Sequence, residues 1–145
     1  MKAAFFWTSL ALAACSDLPK DPQGTLERVR TSKVLRTGII LEAGNSADSV
    51  HRRFIRTVAG ETGSQARIIT GSAEQLLPKI ERGELDIVVG RFGPSTPWTT
   101  RVTIVPAPEE TDEDETVSAA IVRNGENGWI ALVHKHAQKM EDSSQ

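Results

Sequence analysis

The residues best suited to bind a small ligand follow the short apolar run at positions 87–89. Arg91 lies at the carboxyl end of this run. Open α/β sheets bind ligands at that end of their strands, so the Arg91 cation can contribute to holding an anion there. Trp98 lies further on, beside a proline in a loop, where it either closes a cleft or covers the edge of the sheet. We favour the second role for Trp98, because an indole is mainly a large apolar surface.

Residues that could bind a metal do not have the spacing that a metal site needs. His134 and His136 are two positions apart, and such residues point to different faces of a helix. The acidic run at positions 109–115 offers oxygen ligands, but it lacks the glycine and the alternating spacing of a Ca²⁺ loop. We interpret this run as a solvated loop, and the sequence predicts no metal site.

The sequence contains no recognisable catalytic or cofactor motif. No serine lies in a nucleophile elbow, and no glycine-rich phosphate loop opens a helix. The formal net charge of the chain is -2, and lysines and arginines form no run, so a nucleic-acid partner is not expected. We therefore predict a protein that is not an enzyme and that needs no cofactor.

The only cysteine follows a short apolar stretch near the N-terminus. Residues 3–14 are too few to span a bilayer, and Leu-Ala-Ala before Cys15 resembles a bacterial lipobox, in which the cysteine is lipidated. The alternative is an ordinary secretory peptide that leaves a free thiol. The sequence predicts a lipoprotein signal peptide at 1–14, a tether at 15–23, a domain at 24–140 and a disordered tail at 141–145. The mature protein is then expected in the bacterial cell envelope, facing the periplasm and anchored to a membrane.

The remaining chain alternates between strand and helix patterns. Strands are predicted at 34–41, 66–70 and 85–89, with short helices before the first strand and between the strands. Alternation at this spacing favours a parallel sheet with right-handed crossovers. Later segments are predicted as two more strands, 102–105 and 116–122, and a final helix whose apolar face includes Val133 and Ala137. The fold class is therefore α/β.

One helix–turn–strand unit organises this pattern. Leu77 and Ile80 form part of an apolar helix face, and Gly83 stands where the end of a helix favours a left-handed residue. An apolar strand without polar alternation follows, which is typical of a strand covered on both faces. Asp86, between the turn and the strand, is interpreted as structural and is expected to bind backbone amides of the turn.

Several segments together resemble the family 3 extracellular solute-binding proteins, the periplasmic receptors of ABC transporters for amino acids and similar solutes. They are DPQGTLERVRTSKVLRTGI, SAEQLLPKIERGELDIVVG and PWTTRVTIV, within residues 21–105. The resemblance implies a clamshell of two α/β lobes with the ligand between them. Because about 130 mature residues cannot form two lobes, we expect a single lobe with a mostly parallel sheet flanked by helices.

The resemblance also implies ligand-binding residues. Arg101 matches the arginine that holds the ligand carboxylate in amino-acid receptors, through two parallel charge-assisted hydrogen bonds. Arg91, Phe92 and Ser95, with Gly90, match loop residues that add hydrogen bonds at the carboxyl edge of the sheet.

Two features of that family are missing from this chain. The family segment that ends in Pro-Tyr is replaced by Pro106-Ala107-Pro108, and there is no hairpin between Leu41 and Asp48.

These observations lead to one main hypothesis and two alternatives. The main one is a lipid-anchored solute-binding-like protein that binds an amino acid or small carboxylate for an ABC transporter. The first alternative is a lipoprotein without catalytic activity that uses the lobe as a scaffold to dock a transporter or another periplasmic protein. The second is a regulatory subdomain of a cell-wall enzyme.

Overall fold

The computed structural model describes residues 21–41, 48–93, 96–106 and 116–142. The predictions for Cys15, for the signal peptide and most of the tether, for Ser95, for the acidic run and for residues 143–145 lie outside these residues. None of the described helices is long and apolar enough to cross a membrane.

The described chain contains four helices and five strands, which alternate as far as β3. In order they are α1 (Thr25–Ser32), β1 (Val34–Ile40), α2 (Asp48–Thr62), β2 (Gln65–Gly71), α3 (Ala73–Glu81), β3 (Ile87–Phe92), β4 (Val102–Val105), β5 (Val117–Arg123) and α4 (Asn127–Asp142). Each predicted strand is present, with ends that differ by at most three residues. The final helix ends at Asp142, two residues past position 140, where the domain was predicted to end.

The strands form one mixed sheet in the order β2-β1-β3-β5-β4. β1 pairs in parallel with β2 and with β3, which confirms the predicted parallel core. β5 is antiparallel to both β3 and β4, so it lies between two strands that point the same way. The edge strand β2 is the most exposed strand of the sheet.

Helices cover both faces of the sheet. On one face, α1, α2 and α4 pack through Val29, Phe54, Val58, Trp129 and Val133, all of them buried. On the other face, α3 packs alone, and its Leu77 and Ile80 are fully buried as predicted. The sheet is therefore the central layer of an α/β domain, as the sequence predicted.

Two glycines have local roles that fix the path of the chain. Gly83 ends α3 with φ 70°, a left-handed conformation that glycine adopts without steric cost, as predicted. Gly38, in the middle of β1, faces α3, and a Cβ atom there would lie 2.9 Å from Cγ2 of Val88. A larger residue at position 38 would push α3 away from the sheet or displace the Val88 side chain of β3.

Candidate functional site

The strand register separates the two arginines that the sequence analysis placed at one ligand site. β3 ends at Phe92, so Arg91 lies at the carboxyl edge of the parallel strands. Val102 pairs with Arg123 at the end of β5, and Val88 pairs with Ile121 on the same strand. β4 therefore begins at the opposite, amino edge, and Arg101 lies there. Arg101 and Arg91 therefore lie at opposite edges of the sheet, because β5 sets the position of β4. Their roles in ligand binding stay predictions.

Arg101 is already engaged within the protein. Its Nε and Nη2 lie 2.6 and 2.8 Å from the two carboxylate oxygens of Glu81, at the end of α3. Its guanidinium carbon also lies 5.2 Å from the ring centroid of Trp98, in a cation–π contact. Trp98 is half-buried and packs against the core under α3, the covering role that we favoured. A ligand carboxylate could bind Nε and Nη2 of Arg101 only by displacing the Glu81 carboxylate.

The carboxyl edge contains Arg91 and an exposed apolar residue. Arg91 donates from Nε to the hydroxyl of Thr116 (3.0 Å) and from Nη2 to its carbonyl (2.6 Å), which joins the end of β3 to the start of β5. Phe92 is only 6% exposed and belongs to the core under α3. Leu41, just after β1, is 55% exposed. Of the predicted ligand residues described at this edge, Arg91 is accessible to solvent and Phe92 is not.

The N-terminus of α3 also lies at the carboxyl edge, and its own side chains occupy it. The Ser72 backbone N–H donates to Oε1 of Gln75 at 3.2 Å. The pKa of the Glu74 carboxyl is lowered, first by its own backbone N–H and then by the Ser72 hydroxyl. A carboxylate at this helix end competes with any anion for the same partial positive charge.

At the amino edge, Asp86 is the centre of a buried ion cluster. Its carboxylate accepts hydrogen bonds from Nη2 of Arg28, and from Nη2 (2.6 Å), Nε (3.2 Å) and the backbone N–H (2.9 Å) of Arg36. Its side chain is 1% exposed. Its carbonyl accepts the indole N–H of Trp129 at 2.8 Å. The predicted structural role is right, but the partners are on α1 and β1 rather than in the turn.

Two further carboxylates at this edge had no signal in the sequence. Glu126 is fully buried and accepts the backbone N–H groups of Gln23 (2.7 Å) and Thr25 (2.9 Å). Burial alone would raise the pKa of the Glu126 carboxyl, but these hydrogen bonds outweigh it and the pKa is lowered. Asp21 accepts the N–H groups of Gly128 and Trp129 at 2.7 and 3.0 Å, and so caps α4. These contacts fasten the start of the domain to its last helix.

No group of three or more histidine, cysteine or acidic side chains that could hold a metal is present in the ranges that the structure covers. His134 is exposed, whereas His136 is buried with its Nε2 3.6 Å from a carboxylate oxygen of Glu61. The two histidines therefore face different ways on α4, as their spacing predicts.

The fold resembles that of a solved binding-protein domain. The arginine-bound form of domain 1 from TmArgBP aligns with 77% of this chain and 97% of its own length, with a TM-score of 0.62 and 9% identity. A point mutant of the same arginine-bound domain aligns with 81% of this chain and 98% of its own length, with a TM-score of 0.64 and 9% identity.

No family model and no curated protein sequence matches the chain. At 9% identity the structural likeness establishes the fold alone. The chain has the α/β architecture of a single lobe of a binding protein.

Replacing Asp86 tests whether its ion cluster stabilises this fold. Asp86→Ala removes the acceptor shared by Arg28 and Arg36, whose side chains are 36% and 32% exposed and stay partly solvated. We therefore expect the free energy of unfolding to fall by about 2–3 kcal/mol. The measurement is urea denaturation at neutral pH. Glu84→Ala is the matched control, because Glu84 also pairs with two cations but its side chain is 48% exposed. Equal losses in both variants would show that burial of the pair is unimportant.

Proposed function

We propose that this chain is a lipid-anchored, solute-binding-like protein of the cell envelope that binds an amino acid or a small carboxylate and catalyses no reaction. The observation that supports it is the fold: almost the whole length of an arginine-bound binding-protein domain superposes on the described chain. That structure is the arginine-bound form of domain 1 of TmArgBP. It supports a ligand-binding role for a lobe of this architecture.

The proposed ligand surface is the carboxyl edge of the parallel strands. Open α/β sheets bind ligands at this edge, and Arg91 is a cation that solvent reaches there. The Arg91 guanidinium donates two hydrogen bonds to Thr116, which fix its orientation. Its other N–H groups remain able to bind a ligand. Exposed Leu41 offers an apolar surface at the same edge. Arg101 stays a predicted ligand residue, but from the opposite edge it would define a different site.

Affinity and site are tested together by calorimetric titration of arginine, other amino acids and small carboxylates into the full chain. One lobe provides a single wall, so the far side of the ligand stays solvated. We expect dissociation constants of about 1 mM or weaker, near -4 kcal/mol. Arg91→Gln should weaken binding about two- to fivefold, the contribution of an exposed ion pair, while Arg101→Gln leaves it unchanged. Weaker binding in Arg101→Gln but not in Arg91→Gln would place the ligand at the amino edge. The proposal would be refuted if none of the solutes showed saturable binding.

The anchor is tested separately at Cys15. If this cysteine is the lipidated first residue of the mature protein, the wild type should partition with membranes and carry acyl chains in mass spectra. Cys15→Ser should remain an uncleaved precursor or be released as a soluble product. Wild-type protein without acyl chains that begins at another residue would contradict the lipid anchor and leave the solute-binding proposal intact.

A second candidate function, docking of a partner protein, is favoured by the exposed edge strand β2. Among the described strands only β1 pairs with it, and Ile68 and Ile69 are 38% and 44% exposed on opposite faces. A groove of about 590 Å³ runs beside it, lined by Arg52 and Arg56 and by the apolar Ile55, Ala59 and Ala66. An exposed edge is a template for an added strand. The two arginines make an extended acidic segment of the partner the best match.

Site-specific cross-linking in cells tests the docking function. Thr70→Cys places a thiol at the exposed edge of β2, and Gln138→Cys places one on the exposed side of α4 as a matched control. We expect Thr70→Cys alone to give a defined adduct, which is lost when Ile68→Asp is added. Identical adducts from both positions, or none from either, would rule out docking at β2.

A further inference from the structure

Four arginines from separate elements converge on one concavity at the amino edge of the sheet. The cavity has a volume of about 250 Å³. Its charged lining consists of Arg28 on α1, Arg36 on β1, Arg82 after α3, Arg123 at the end of β5, and Asp86. One carboxylate therefore faces four guanidinium groups, in a chain whose overall formal charge is negative.

The acids around the cavity do not balance these cations. Asp86 is shared between Arg28 and Arg36, and its side chain is almost wholly buried beneath them. Arg82 binds Glu84 through Nε at 2.5 Å, but that carboxylate is shared with Lys79. Glu126 accepts two backbone N–H groups and keeps its negative charge, which offsets part of the positive charge of Arg123. The solvent-facing lining of the cavity therefore keeps an excess of positive charge.

Arg123 is the clearest unused donor. It forms no close ion pair with any residue in the ranges that the structure describes, although its charge helps to lower the pKa of the buried Glu126 carboxyl. Its Nη1 lies against the turn at Gly83, 3.3 Å from where a Cβ atom would stand. A guanidinium group has five N–H donors in a planar fork. Like charges that line one cavity repel one another. An anion that enters the cavity and bridges the arginines therefore stabilises the folded state.

We infer that this cavity binds a phosphate group. A phosphate presents several acceptor oxygens in different directions, which suits guanidinium groups that approach from four elements, whereas a carboxylate presents only two oxygens in one plane. The site is separate from the carboxyl edge, where the solute is proposed to bind, because the two lie at opposite ends of the strands.

Two sources of phosphate fit this chemistry, a soluble phosphate compound and the headgroup of a phospholipid. The second source rests on the proposed lipid anchor. Gln23, which lines the cavity, is eight residues after Cys15. An extended segment of that length reaches at most about 28 Å, so an acylated Cys15 would hold the cavity near the membrane surface.

The test compares inorganic phosphate with sodium chloride at matched ionic strength, with the full chain, by thermal unfolding and calorimetry. Phosphate should give a saturable rise in Tm and a titratable heat that chloride does not give. Arg123→Gln should weaken phosphate binding about tenfold or more, as expected for loss of a hydrogen bond between charged groups. Arg123→Lys, which keeps the charge but not the fork, should recover part of the affinity.

Matched controls make the result specific to the cavity. Arg53→Gln removes an exposed arginine on α2, outside the cavity, and should leave phosphate binding unchanged. Arg82→Gln provides a second variant of the rim if Arg123→Gln fails to fold. The inference would be overturned if phosphate raised the Tm no more than chloride does. It would also be overturned if Arg53→Gln lost as much phosphate affinity as Arg123→Gln and Arg82→Gln.

Vesicles distinguish the two sources. Co-sedimentation is measured with phosphatidylcholine vesicles prepared with and without phosphatidylglycerol. Weaker retention of Arg123→Gln than of Arg53→Gln on the anionic vesicles supports a lipid headgroup. Equal retention of the two variants, together with loss of inorganic phosphate binding in Arg123→Gln, supports a soluble phosphate compound. Failure of the solute titration at the carboxyl edge would leave either result unaffected.

Discussion

The buried carboxylate of Asp86 is the constraint on which the arrangement of the helices depends. A charge with 1% exposure is tolerated only when it is paired and hydrogen-bonded, and Asp86 binds Arg28 on α1 and Arg36 on β1. Its backbone carbonyl holds the indole of Trp129 on α4. A single residue at the start of β3 thus sets the positions of two helices and the neighbouring strand.

Local patterns were sufficient to predict the elements but not their neighbours in the sheet. The apolar face of α3, the left-handed Gly83 and the apolar run of β3 lie within a few residues of one another, so the sequence shows them directly. The position of β5 between β3 and β4 depends on pairing between segments that are distant in the chain. No local signal specifies such pairing, and it decides the edge to which Arg101 belongs. For that reason the predicted ligand residues Arg91 and Arg101 lie at opposite edges of the sheet.

The surroundings of a side chain could not be predicted where burial or distant contacts decide them. Phe92 was predicted as a ligand residue from the family resemblance, but β3 continues through it and its side chain packs in the core under α3. Glu126 and Asp21 could not be recognised, because their backbone partners are more than 100 residues away. Asp86 was predicted correctly as structural, although its guanidinium partners are 58 and 50 residues away.

The two edges of the sheet differ in the interactions that they can offer a ligand. At the carboxyl edge, Arg91 is accessible to solvent, and an ion pair exposed to water contributes little. A second wall from another lobe, another copy or a partner would exclude water and strengthen it. At the amino edge, α1, β1, β5 and the turn after α3 already enclose a cavity, and Arg28 and Arg36 are held in place by Asp86. The charge that stabilises the fold therefore also prepares a site that needs no second lobe.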